Sequence, residues 1–585
     1  MVSFRKLCVR GALTLWSLSG AAVCQDEEER ALPSLRDASI DDLSQGLEQG
    51  LFTSVDLVRA YVARIEEVNP ELRAVTEINP DALEIAAALD AEREAGKIQG
   101  PLHGLPILIK NNIATADRMN NTAGSLALKG AKVPRDSFVA KKLREAGAII
   151  LGKANLSQWA NFRSDNGTNG WSADGGQVLG AYLEAQDPSG SSSGCGVASD
   201  LGLAAACIGT ETDGSIISPS QRNNIVGFKP TIGLTSRDLV IPISEHQDTI
   251  GPMARTVKDA AYILQAIAGL DKNDNYTSSI PDDGAIPDYL SFLDKGALSG
   301  TRLGMPSNIL EIFGIANPDH PEGKAFYVAF DVLRIAGATI VSSNFSAFED
   351  PETFDFDLES RVLNADFVTN LAAYLSQLTE NPADVHSLAD IREFTRSTPA
   401  EEYPDRNTAI WDVALDEMGY NNTDPRFQED LELLRSYGGE GGLLGVIEEH
   451  ELDAVILPTS VASLFAALAA APAVSVPMGF YPEDAEVVKN ERGMTTQGPG
   501  LPIGLSFLGS RFSEAKLFGL AYAYEQRTNI RSTRDPLILP KTELEHCIGR
   551  DACEKPRRSR NCATSKRIVK NDVSASQLGI FAKEL

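Results

Sequence analysis

After Ser54, apolar side chains recur at intervals of three and four residues (Leu57, Tyr61, Ile65, Val68), which is the spacing of one helix face, and Pro70 predicts the end of that helix. A second helix is predicted to follow Pro80 and to end near Gly96. From Leu102 the pattern changes. Short β-branched runs at residues 106–109, 148–151, 207–210, 225–228, 454–457 and 473–477 alternate with helical stretches, one of them at 197–206. That alternation predicts an α/β chain with a large mixed β-sheet core covered by helices on both faces. Residues 310–450 read as mainly helical with polar connections, and no repeat period divides the chain.

Two apolar stretches need a separate reading. Residues 454–478 carry no charge and are long enough to cross a bilayer, but Pro458, Pro472 and Pro477 and the β-branched alternation predict a buried strand–helix–strand instead. At the N-terminus, Arg5, Lys6 and Arg10 precede an uncharged run over 11–23, then Ala21, Ala22 and the acidic residues 26–29. This is the layout of a secretory signal peptide over 1–24, with cleavage near Ala22 or Cys24, and the run is too short for a core of about 30 Å. The mature chain is therefore expected to be secreted, without a membrane span. Its folded domain is expected over 30–540. From Lys541 onward ten Lys and Arg face six Asp and Glu without hydrophobic periodicity, which predicts a basic, disordered tail over 541–585.

Secretion changes how cysteine and asparagine are read. Cys8 and Cys24 fall within the leader. Cys195 and Cys207 lie in apolar surroundings that suggest buried free thiols, and Cys547, Cys553 and Cys562 can hold one small disulfide. Sequons at Asn120, Asn155, Asn166, Asn275, Asn344 and Asn421 are candidates for N-glycosylation. Composition narrows the function further. With 81 acidic and 53 basic residues the net charge is −28, which opposes binding to nucleic acid. Six scattered histidines, with no Cys-x-x-Cys or His-Glu-x-x-His motif, point to no metal and no cofactor.

Candidate chemistry lies between 103 and 260. Ser189-Gly190-Ser191-Ser192-Ser193-Gly194 is a small-residue loop. Gly209-Thr210-Glu211-Thr212-Asp213-Gly214-Ser215-Ile216-Ile217 is a polar turn between apolar stretches. A hydroxyl in such a turn, beside successive free N–H groups, has what acyl transfer needs: a nucleophile and a hole for the oxyanion. Residues 190–194 also match Gly-x-Ser-x-Gly, which would make Ser192 the nucleophile of an α/β-hydrolase-type esterase. The polar lead-in at 184–188 is not the strand that motif requires.

Taken together, these segments resemble the amidase signature family of serine hydrolases. Pro101-Leu102-His103-Gly104-Leu105-Pro106-Ile107-Leu108-Ile109-Lys110-Asn111-Asn112 is similar to its lysine segment, and Gly152-Lys153-Ala154-Asn155-Leu156-Ser157 to the segment that follows. The loop at 189–195 and the turn at 209–217 are similar to its two serine segments, and further matches continue in order to about residue 535. The resemblance implies a Ser-cisSer-Lys triad. Ser215 would be the nucleophile, Ser191 would pass the proton after a cis peptide bond, and neutral Lys110 would be the base. The backbone N–H groups of Thr212, Asp213, Gly214 and Ser215 would form the oxyanion hole. Lysine ordinarily titrates near pH 10.4, so burial or hydrogen bonding must favour its neutral form.

The chain departs from the family pattern at Ser189 and Ser193, where glycines are commoner, and at Glu211, Asp213 and Ile217. This variant resembles the peptide-amidase subgroup, so a small-molecule or peptide amide is the expected substrate. Thr210, Glu211 and Ser192 are expected to support the loops, and His103 and His246 to be structural. The alternatives are a non-catalytic binding protein on the same fold and an amidotransferase-type subunit acting on charged transfer RNA. Nothing in the sequence bears on oligomeric state.

Overall fold

The computed structural model describes residues 32–350 and 354–554. The signal peptide expected over 1–24, Cys562 and residues 555–585 lie outside the described residues.

Eleven strands form one mixed sheet. Their spatial order is Val75–Ile78, Ile149–Ala154, Pro106–Lys110, Ala206–Glu211, Thr249–Ala254, Val226–Lys229, Ala473–Phe480, Pro502–Leu508, Ala454–Pro458, Arg302–Pro306 and Thr339–Ser343. Pairing is parallel between Pro106–Lys110 and both of its neighbours, antiparallel through the middle, and parallel again at the far edge. Every residue of Pro106–Lys110, Ile149–Ala154, Ala206–Glu211, Ala454–Pro458 and Pro502–Leu508 is buried. Burial on both faces needs two helical layers. Ser193–Asp200 and Ile217–Arg222 pack together on the central strands, and Phe138–Glu145, Val257–Ile267 and Glu514–Thr528 form a second group. The expected α/β architecture is therefore present.

Several boundaries differ from expectation for local reasons. The helix at 54 is capped by Thr53, whose Oγ1 accepts the Asp56 N–H while the Asp56 carboxylate accepts the Thr53 N–H. It continues through Pro70 to Leu72, because a proline in the last turn frees only the carbonyl of exposed Glu66. The helix expected at 197–206 occupies Ser193–Asp200, and the chain is already in strand at Ala206. The uncharged stretch at 454–478 is a strand, two short helical turns and a second strand. Among the described residues no helix is long and apolar enough to cross a membrane.

The expectation that disorder begins at 541 is corrected by packing. Residues 541–554 lie against the helix Ser54–Leu72: the Arg64 guanidinium is fully buried and pairs with Glu543 at 3.0 Å, and Cys547 is disulfide-bonded to Cys553. The expectation of free thiols is corrected too. Cys195 and Cys207 form a disulfide, since the helix Ser193–Asp200 lies directly on the strand Ala206–Glu211 and brings the two side chains together.

Residues 310–450 are largely helical, with the edge strand Thr339–Ser343 among the helices. The helix Leu358–Leu375 contributes Phe367, Leu371 and Tyr374 to a second apolar core that also holds Trp159 and Trp411. The N-terminal residues of that helix, Leu358 and Glu359, line one cavity with Asp213.

Candidate active site

Lys110 is the last residue of its strand, and the register Ile109↔Ile208 carries the neighbouring strand past it to Thr210. Its ammonium end is fully buried and meets oxygen on three sides: Ser191 Oγ at 2.8 Å, Thr210 Oγ1 at 2.9 Å and the Thr210 carbonyl at 3.1 Å. Among the described residues no carboxylate is in contact with it. Burial lowers its pKa to about 7, against the weaker upward pull of Asp248 and Glu211.

Ser191 Oγ lies 2.9 Å from Ser215 Oγ, so amine and two hydroxyls form one continuous chain. Three contacts hold that chain in place. Ser157 N–H donates to the Ser191 carbonyl (3.0 Å), Ser192 N–H donates to the Ser215 carbonyl (3.2 Å), and Ser192 Oγ donates to the Thr210 carbonyl (3.1 Å). The peptide bond between Gly190 and Ser191 is cis. Gly190 is also tightly enclosed: a Cβ there would stand 2.5 Å from Ser157 Oγ and 2.9 Å from Asn169 Oδ1. Ser189, at a position where the family commonly has glycine, has φ +61°, and the Ser193 hydroxyl donates to its carbonyl at 2.6 Å. Ser192 is thus a bracing residue whose hydroxyl is occupied by backbone, and among the described residues no histidine is hydrogen-bonded to it.

The turn after Thr210 is closed by Glu211, whose Oε2 accepts the N–H groups of Ile216 (2.6 Å) and Ile217 (2.9 Å). Thr212 Oγ1 donates to Asp248 Oδ1 at 2.6 Å, and the other Asp248 oxygen accepts the N–H groups of Ile243 and Ser244. Gly214 has φ +76°, and a Cβ there would stand 2.9 Å from Ser218 Oγ. Among the described residues none accepts a hydrogen bond from the backbone N–H groups of Thr212, Asp213, Gly214 or Ser215. Lys110, Ser191, Ser215 and the predicted oxyanion turn are therefore brought to one place. His103 contacts the Leu89 carbonyl and His246 pairs with Asp366 at 2.8 Å; neither reaches the serines.

Sequence reasoning missed the roles of several supporting residues, one close to Lys110 and one far along the chain. Asn112 Nδ2 donates to Thr210 Oγ1 (3.0 Å), and Gln247 Nε2 donates to Glu359 Oε1 (2.7 Å). Asn112 stood inside a recognised segment, but nothing marked Glu359 apart from the other acids of residues 310–450.

The sequons separate by burial. Asn166, Asn275 and Asn344 are exposed, and Asn120 and Asn421 are half-buried. Asn155 is fully buried, with its amide donating to the Arg73 carbonyl and its Oδ1 accepting from Ser172, so the folded chain has no room for a glycan there.

Fold and site together define a hydrolase. The chain belongs to the amidase family, whose model matches residues 56–518. A protein of Arthroderma benhamiae named as an amidase is 52% identical over 542 residues, covering 89% of this chain and 90% of that one. A protein of Arabidopsis thaliana named as an amidase is 39% identical and covers 85% and 91%. The crystal structure of native peptide amidase from Stenotrophomonas maltophilia superposes with a TM-score of 0.74 at 38% identity, covering 86% of this chain and 99% of that one. The protein is an amidohydrolase of the amidase signature family, acting on the C–N bonds of amides.

Proposed function

We propose that Ser215 attacks the amide carbonyl to form an acyl-enzyme, with Ser191 relaying its proton to neutral Lys110. The observation that carries this reading is the unbroken chain Lys110–Ser191–Ser215 at 2.8 and 2.9 Å. As Ser215 Oγ bonds to the carbonyl carbon, its proton moves to Ser191 Oγ and the Ser191 proton moves to Lys110 Nζ. The carbonyl oxygen becomes an oxyanion facing the N–H groups of residues 212–215, which have no protein acceptor. Lys110 then returns a proton to Ser191 Oγ, whose own proton passes to the departing nitrogen as the C–N bond breaks. Water then repeats the sequence on the acyl-enzyme and releases the acid.

The substrate class we infer is a small or peptide-terminal primary amide, with ammonia released. Support comes from the Thr-Glu-Thr-Asp-Gly-Ser-Ile variant of the turn and from the likeness to a solved peptide amidase. We also infer that the mature enzyme is secreted, as the basic–apolar–small order of residues 1–24 indicates, and glycosylated at exposed sequons. Two disulfides are consistent with an oxidising compartment. A fluorophosphonate label tests the mechanism: it should attach to Ser215 and should be lost in Ser215→Ala. Labelling at Ser192, or none at all, would sink the assignment. Activity confined to esters or long-chain fatty amides would overturn the substrate class.

A further inference from the structure

A cavity of about 290 Å³ opens beside the turn that carries Ser215. Phe354, Leu434, Tyr437 and Leu464 line its walls, and Phe313 and Phe356 stand at its rim, 46% and 66% exposed. Three acids interrupt this apolar lining: Asp213, two residues before Ser215; Glu359, at the start of the helix Leu358–Leu375; and Asp355, which is paired with Arg361 at 2.8 Å. Among the described residues no lysine or arginine lines the cavity, and neither Asp213 nor Glu359 has an ion-pair partner.

The unmet hydrogen-bonding capacity around these acids is all of one kind. Asp213 Oδ1 has no donor. Gln247, only 1% exposed, spends its amide on Glu359 Oε1, and its own Oε1 is unpartnered. Buried acceptors left without donors are costly unless a bound group supplies them. Burial and the nearby Asp213 charge hold Glu359 up at about 8, so a cation entering here would let both acids ionise.

We propose that this cavity is a recognition pocket for amides whose acyl part carries a protonated amine beside an aromatic or aliphatic group. The ammonium would be held by Asp213 and Glu359. The proposal rests on the Ser215 reading above: when ammonia leaves from a primary amide, only the acyl part remains to occupy a cavity of this size. The apolar walls take its side chain, and the acids distinguish a cationic acyl group from a neutral one of the same shape.

The test uses the full secreted chain and reads binding alone, as protection of Ser215 from the fluorophosphonate label at pH 6.5. The protectants are 2-amino-3-phenylpropan-1-ol and its amine-free counterpart 3-phenylpropan-1-ol. The amine should half-protect at a concentration at least about tenfold lower, as a charge-assisted hydrogen bond gives. In Glu359→Gln and in Asp213→Asn that ratio should fall below about threefold, a loss of most of the same contact. Equal protection by both alcohols in the unaltered enzyme would overturn the pocket, as would an amine preference that survives in both variants. If a variant fails to fold, the ratio in the unaltered enzyme decides alone. Ser215 that labels without amine preference sinks this inference and spares the mechanism, whereas absence of labelling sinks both.

Discussion

Thr210 presents Lys110 with two acceptors from a single residue, its carbonyl at 3.1 Å and its Oγ1 at 2.9 Å. A neutral amine has two N–H groups and one lone pair. With both N–H groups on Thr210, the lone pair is left for the Ser191 hydroxyl at 2.8 Å. The strand pairing that sets Thr210 beside Lys110 therefore orients the amine as well as placing it.

The pH profile should follow the base. Lys110 is held down to about 7, so its neutral, proton-accepting form fills as pH rises through that value. The rate of Ser215 labelling should climb about tenfold per unit well below pH 7 and level off above it. Lys110→Ala should lower the plateau by about 10²–10⁴, the usual range for a positioned base. A flat profile from pH 5 to 9 would contradict the scheme.

Thr210→Val removes the hydroxyl acceptor and keeps the carbonyl. The charged form of lysine loses more than the neutral form, because hydrogen bonds to an ammonium are the stronger ones. The midpoint of the labelling profile should therefore move below its starting value, while the plateau falls about tenfold as the lone pair loses its orientation. A midpoint that moves upward would show that Oγ1 does not serve the amine.

Gly190→Ala should disable the enzyme without unfolding it. The added methyl collides with Ser157 Oγ and Asn169 Oδ1, and relief requires the loop bearing Ser191 to move. An ångström of displacement can cost about 10²-fold in rate. Unchanged labelling kinetics in a folded variant would show that the loop yields without moving Ser191.

Lys153 is a control for Lys110. It is also fully buried and held at about 7, yet its Nζ meets only the Ile113 carbonyl (2.6 Å) and Asn121 Oδ1 (2.8 Å). Lys153→Met leaves the buried Ile113 carbonyl unpaired, while Asn121 Oδ1 keeps the Thr115 N–H, and should destabilise the fold by about 1–3 kcal/mol. Denaturant unfolding should detect this, and the midpoint of the labelling profile should stay with Lys110.

Peptide mapping of protein from the growth medium should find Cys195 linked to Cys207 and Cys547 to Cys553. Glycan should appear at one or more of Asn166, Asn275 and Asn344, and none at Asn155. A glycan on Asn155 would be incompatible with the buried amide described above.

Much of the candidate site was legible because it is local. Lys110, Ser191 and Ser215 each stand in short segments whose glycine and hydroxyl content is unusual, and the β-branched runs at 106–109, 148–151 and 207–210 located three central strands. The missed strands were less distinctive. Val75–Ile78 and Thr339–Ser343 are short and half-exposed edge strands, and Thr249–Ala254 contains a glycine and a proline that mask its pattern. The Cys195–Cys207 pairing depends on a helix folding back onto a strand, and apolar neighbours gave no sign of it. Glu359 lies 144 positions beyond Ser215 and reaches the turn only through the packing of Phe367, Leu371 and Tyr374, which no local pattern records.

The helix Leu358–Leu375 belongs to a different stretch of chain from the strands that hold Lys110 and Thr210, and it packs into an apolar core shared with Trp159, Leu239 and Ile241 of that earlier stretch. On the mechanism proposed above, the proton chain lies in residues 106–254 and the far wall of the neighbouring cavity in residues 310–450. Side chains of that wall can vary while those of the proton chain stay fixed. An enzyme laid out this way can change which amides it accepts without relearning how to cut them.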